Sequence, residues 1–240
     1  MSEFNAILTI LTFAPALGAI AIWLSGRVGI DSDDRVRTTA LTTAAITFIL
    51  SLVVLFSFDK GEAGLQMVDR FVWIRQWGIN YYFGVDGISI WMIMLTTFIS
   101  ILAIAASFPM IKHSVKQYYI FMLLLETGML GVFLGQDLFF FYVFWEFTLI
   151  PMYFLIGIWG GKQRVYAAIK FFLYTMAGSL LMLVAILFVG VKAGTFVVPE
   201  IVARVNAGTL VWSSFGPNAE MWLFLAFAIA FAVKVPVFPF

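Results

Sequence analysis

Of the 240 residues, 63% are hydrophobic and 11% charged, too few charges to cover a soluble globule, so the chain reads as an all-α polytopic membrane protein. Fourteen basic and 13 acidic side chains leave a net charge of +1, which points to no nucleic-acid partner and no polybasic membrane tether. With no cysteine there is no disulfide and no thiolate-held iron–sulfur cluster, and the single histidine, His113, cannot form a bis-histidine haem. Electron transfer by this chain itself is therefore not expected.

Long apolar runs predict seven spans. The first covers about Phe4 to Leu24, and with Glu3 and no basic residue ahead of it a cleaved signal peptide is not expected. The second covers Thr38 to Phe58. A polar and aromatic connection, 59–84, follows, in which FVWIR and INYYF are placed to pair as a hairpin outside the membrane. The third span is Val85 to Met110. The fourth, Tyr118 to Gly135, is separated from the fifth, Phe141 to Gly161, by little more than Gln136 and Asp137, so these two are antiparallel neighbours. The sixth, Val165 to Val191, is long enough to tilt or protrude. A loop with Pro199, Gly208, Gly216 and Pro217 leads to the seventh, Met221 to Phe240, which Pro236 and Pro239 must break. Arg27, Arg35, Arg37, Lys112, Lys116, Lys162 and Arg164 fall in short loops after odd-numbered spans, which orients those loops to the cytoplasm and the amino terminus outward.

The fifth span, FYVFWEFTLIPMYFLIGIWGG, is apolar apart from Thr148 and Glu146. An ionisable group in hydrocarbon is costly, which marks Glu146 as a candidate for moving protons or ions; a buried acid hydrogen-bonded to a neighbouring helix is the plainer reading. Pro151 leaves the Phe147 carbonyl without its helical donor, so a distortion is expected beside the carboxylate. Glu126, Lys170 and Lys234 also fall within spans. At ~1.5 Å per residue Glu146 and Glu126 lie about 12 Å deep on adjacent helices, and Lys234 about 20 Å along its helix. Lys170 is near enough to one interface to extend its stem there. A carboxylate and a lysine whose separation changes form a proton switch, whereas a fixed ion pair would only hold the broken helix. The stripe Gly128, Gly131, Gly135 predicts a close helix contact, and the aromatic clusters predict lipid-facing or interfacial surface.

GVDGISIWM, FYVFWEFTLIPMYFLIGIWGG, RVYAAIKFFLYTMAGS and FAVKVPVFPF, in this order, resemble the subunit M (chain 4) family of the proton-pumping NADH:quinone oxidoreductase, respiratory complex I. The resemblance implies an antiporter-like inverted-repeat fold, with 1–116 a three-helix segment and 117–240 an incomplete first repeat. By motif it makes Glu146 and Lys234 the proton-transfer pair, Glu126 a further proton-transfer residue and Lys170 a possible one. It implies a multi-pass location in the cell inner (cytoplasmic) membrane, other membrane subunits as partners, and NADH, FMN, iron–sulfur clusters and quinone held by partner subunits, with no cofactor or metal in this chain. Members of that family are about twice as long, so the sequence resembles a first half. A subunit of a multisubunit sodium/proton antiporter or membrane-bound hydrogenase, and a membrane scaffold that moves no ion, are the alternatives.

Overall fold

A computed structural model describes residues 5–25, 32–62 and 64–237. Four helices, α1 (Ile7–Ser25), α2 (Asp33–Ser57), α3 (Ser89–Ser107) and α4 (Val115–Leu134), run up and down against one another. Beyond them come α5 (Leu138–Phe147), α6 (Leu149–Trp159), α7 (Arg164–Ala193), the short α8 (Val198–Asn206) and α9 (Ala219–Lys234). Strands β1 (Gln66–Ile74) and β2 (Ile79–Val85) form the expected antiparallel hairpin, closed by a 3-10 turn and by Gly78 in the left-handed region at φ 68°.

Among the described residues six helical segments, with α5 and α6 taken as one, are long and apolar enough to cross a membrane. The seventh, α9, has 16 residues and stops at Lys234. Pro236, two residues on, has no N–H to continue the ladder, and the amide of Val237 closes back to the Ala232 carbonyl at 2.9 Å. Pro239 and Arg27 lie outside the described residues. The third span begins at Ser89 rather than Val85, because Val85 is paired with Gln66 in the hairpin. The segment after α7, expected to be a loop, contains α8, which begins with Pro199 in its first turn and buries Ile201.

Buried carboxylates tie the hairpin to the helices. Asp69, fully buried on β1, accepts the amides of Asn5, Ala6 and Thr9 and the hydroxyl of Thr9 at 2.6–2.9 Å, so it caps the start of α1. Asp137 caps α5 by accepting the amides of Phe139 and Phe140, and its other oxygen accepts the Asn80 amide of β2 at 2.9 Å. The Gln136 amide donates to Tyr82, the Leu138 amide to Phe196 and the Val198 amide to Gln136. The α4–α5 turn is thus stitched between the hairpin and the α7–α8 connection, and this end of the bundle is held by backbone bonds.

Around α1 to α4 the core has two apolar storeys, and two smaller clusters, one holding Met182, Ile186 and Ala230 and the other Val189, Ala193 and Ile201, lie along α7 to α9. At the hairpin end Leu8, Leu11, Val54, Ile93, Leu130, Leu134, Phe83, Phe140 and Phe144 cluster; at the other end Ala19, Ile22, Val36, Ala40, Ile104, Val115, Tyr119 and Leu123 do. Phe83, Phe140 and Phe144 correct the expectation that the aromatic clusters face lipid. Their rings pack on one another at centroid separations of 5.1–5.8 Å, because Gly131 on α4 leaves room for the ring of Phe144.

Candidate functional site

The fifth span is distorted just past its carboxylate, at Thr148, which keeps helical dihedrals of φ −63° and ψ −23°. α5 ends at Phe147 and α6 begins at Leu149, with Thr148 between them and Pro151 in the first turn of α6. The side chain of Thr148 turns back to donate to the Trp145 carbonyl at 2.8 Å. Gly128 on α4 makes this approach possible: a Cβ there would stand 2.8 Å from Thr148 Cγ2 and 3.2 Å from Phe147 Cδ1.

Lys234, at the last turn of α9, meets this distortion. Its Nζ donates to Thr148 Oγ1 at 2.8 Å and to the Trp145 carbonyl at 3.5 Å, and stands 4.9 Å from the centre of the Trp145 ring. Its placement follows from a close crossing of α7 and α9, where a Cβ on Gly178 would be only 3.1 Å from Val233, the residue beside it. Glu146 acts on Lys234 through the electrostatic field, yet no direct ion pair joins them, unlike Arg37–Asp34 and Arg70–Glu200. One Glu146 oxygen, Oε1, is buried without a hydrogen bond. Tyr142, one turn earlier on α5, is in electrostatic contact with Glu146 and with Ser179 of α7.

The other predicted charges are elsewhere. Lys170 is exposed on α7, its Nζ 5.9 Å from the Tyr166 ring, an arrangement that suits a stem reaching for an interface. Glu126 is 1% exposed, with no hydrogen bond to either oxygen; Ser100 of α3 is within its electrostatic reach but outside hydrogen-bond geometry. Glu126 and Gly128 are two positions apart, about 200° around the helix, and Gly128 faces α5 and α6. Glu126 therefore points away from the Lys234 centre. Reasoning from sequence did not single out Trp145, Tyr142 or Ser179; the i, i+4 spacing of Tyr142 and Glu146 on one helix face was the available signal.

Two family models match consecutive stretches of the chain. Residues 32–134 match the amino terminus of NADH-ubiquinone oxidoreductase chain 4, and residues 135–240 match the NADH:quinone oxidoreductase/Mrp antiporter TM family. The chain belongs to this family of antiporter-like membrane subunits. Its similarity to NADH-quinone oxidoreductase subunit M of Rhodobacter capsulatus is 43% identity over 238 residues, covering 97% of this chain and 46% of that protein. The fold matches a chain in respiratory complex I from Thermus thermophilus with bound NADH at a TM-score of 0.80 and 26% identity, over 97% of this chain and 44% of that one. It matches a chain of the Mrp complex from Dietzia sp. at 0.78 and 26% identity, over 97% and 24%. The chain spans about half the length of the curated family members it matches.

Proposed function

We propose that this chain is a proton-translocating antiporter-like subunit of an NADH:quinone oxidoreductase and that Glu146 and Lys234 form its transfer pair. The observation that carries the reading is the position of Lys234. Its amine rests on a hydroxyl and a carbonyl at the α5–α6 distortion, beside a carboxylate it does not directly pair with. A group held by neutral acceptors can change partners, whereas a closed ion pair resists it. Two ionisable groups near mid-membrane are not what a passive scaffold requires. Redox chemistry, with NADH, FMN, iron–sulfur clusters and quinone, belongs in this reading to partner subunits, and the amino terminus faces outward across a cytoplasmic membrane. Residues 117–240 then make up an incomplete first repeat. The similarity to the Mrp complex supports a second reading, a subunit of a multisubunit sodium/proton antiporter.

Glu146→Gln keeps the shape of the side chain but exchanges no proton, so assembled complex in native membranes is expected to lose pumping. Lys234→Arg keeps the charge but does not release a proton at accessible pH, and is expected to assemble without pumping. Full pumping by either variant overturns the relay. Sodium rather than proton gradients abolished by the same variants would favour the second reading.

A further inference from the structure

α7 and α9 touch near the last turn of α9, where a Cβ on Gly178 would stand 3.1 Å from Val233, and part from there toward the end of α7 and the start of α9. Between them the small side chains of Ala185, Ala219 and Ala226 leave a groove of about 410 Å³, walled by Phe188, Phe215 and Trp222. The groove opens on the outside of the molecule: Val184 on its α7 rim is 67% exposed and Trp222 on its α9 rim 65%. Each helix lines it with a single face. Leu181, Ala185 and Phe188 recur at spacings of four and three residues along α7, and Ala219, Trp222 and Ala226 at three and four along α9.

One turn beyond Phe188 the same face of α7 carries Lys192, in the last turn of a helix long and apolar enough to cross a membrane. Its Nζ lies 5.2 Å from the centre of the Phe215 ring and 5.9 Å from that of Phe188, so the rings that wall the groove hold the ammonium at its mouth. The carbonyl end of α7 favours a cation there, which accounts for the lysine but not for the groove beneath it. No anion of the protein answers the charge. Among the described residues Lys192 forms no ion pair, residues 147–199 contain no Asp or Glu, and the exposed Glu220 in the first turn of α9 is not paired with it. From Leu181 to Lys192 is about 16 Å at ~1.5 Å per residue, which matches about one leaflet of a ~30 Å hydrocarbon core. The groove thus runs from headgroup level into acyl-chain depth, and the 3-10 turn Trp212–Phe215 sets its aromatic rings at the headgroup end.

We propose that the groove between α7 and α9 binds one anionic phospholipid, with its phosphate on the Lys192 ammonium and an acyl chain laid between the helices. Headgroup charge sets the preference. A zwitterionic lipid brings its own cation beside the phosphate, whereas an anionic one leaves its full charge to the lysine. The site goes beyond the Glu146–Lys234 relay, and neither residue enters its test.

A photoreactive benzoylphenylalanine in place of Val184 captures whatever lies in the groove. The assembled complex is reconstituted into vesicles of equal parts phosphatidylglycerol and phosphatidylethanolamine, illuminated, and the adducts on this chain are identified by mass spectrometry. Phosphatidylglycerol adducts are expected to outnumber phosphatidylethanolamine adducts about fivefold, the preference one basic side chain gives for anionic lipid. Lys192→Arg should keep that ratio and Lys192→Gln should bring it to one. Ala226→Phe, which fills the groove beneath an unchanged lysine, should also abolish the preference. Capture of a neighbouring subunit overturns the proposal, because protein then covers the groove. So does equal capture of the two lipids, a preference that survives Lys192→Gln, or one that survives Ala226→Phe and therefore reports only diffuse attraction to a charged surface. Should Ala226→Phe fail to assemble, Lys192→Gln, at an exposed position, decides alone.

Discussion

Replacing Gly128 with alanine tests how closely α4 must approach the α5–α6 junction at Thr148. The added methyl would stand 2.8 Å from Thr148 Cγ2, against about 3.5–4.0 Å for a comfortable carbon–carbon contact, so about 0.7–1.2 Å must be found. Thr148 cannot provide it by rotating. Its χ1 is stiff, and its hydroxyl is committed to Trp145 on one side and Lys234 on the other. The helices must therefore separate, at a cost of about 1–3 kcal/mol, equivalent to a fall in melting temperature of about 2–12 °C for a chain of this size. Thermal unfolding of the purified protein in detergent, followed by tryptophan fluorescence, measures it. Gly157→Ala is the control, since its methyl would meet Ala168 Cβ at an ordinary 3.5 Å. Thr148→Ser removes Cγ2 and keeps the hydroxyl, so the Gly128→Ala, Thr148→Ser double variant is expected to recover most of the loss. If Gly128→Ala melts with the unmodified protein, or if Thr148→Ser restores nothing, the close approach does not govern this site.

Asp69→Ala strands three amides at the start of α1, while the Thr9 hydroxyl keeps Tyr81, and should cost at least about 3 kcal/mol, seen as accelerated hydrogen exchange at residues 5–9. Burial pushes the Glu200 carboxyl up, but the hydrogen bonds from Arg70 and Thr195 and the charges of Arg70 and Arg204 outweigh it and hold the group below its usual 4.5. Its contribution to stability is thus present above about pH 4.5 and lost as pH falls through the lowered value, so acid melting curves of Arg70→Ala should show a smaller loss there than those of the unmodified protein. With no native cysteine, single cysteines at Ser32 and Gly208 report topology: an impermeant thiol reagent on intact cells should label Gly208→Cys and spare Ser32→Cys, and the opposite pattern would reverse the orientation.

Much of the architecture was legible in the order of residues because its causes are local. Apolar run length sets the spans, alternating β-prone residues around Gly78 set the hairpin, and a proline that cannot donate sets where a helix stops. A lone carboxylate in the fifth span, and a lysine two residues before Pro236, stand out against a background of apolar neighbours for the same reason.

What the sequence left undecided depends on contacts between distant residues and on the rotation of each helix about its axis. Lys234 meets Thr148 from 86 residues away, and Asp69 caps a helix more than 60 residues earlier. No local pattern encodes either pairing. Glu126 and Glu146 share a depth on neighbouring helices, so spacing alone allowed them to share a site. Packing separates them: the small residues at 128, 131 and 135 draw one face of α4 against α5 and α6, and with ~100° between successive residues this turns Glu126 toward the amino-terminal helices. The seating of α9 on α7 and the fold of the 198–206 segment into α8 were likewise decided in three dimensions, where Gly178 admits Val233 and the Asp137 turn pairs with Val197.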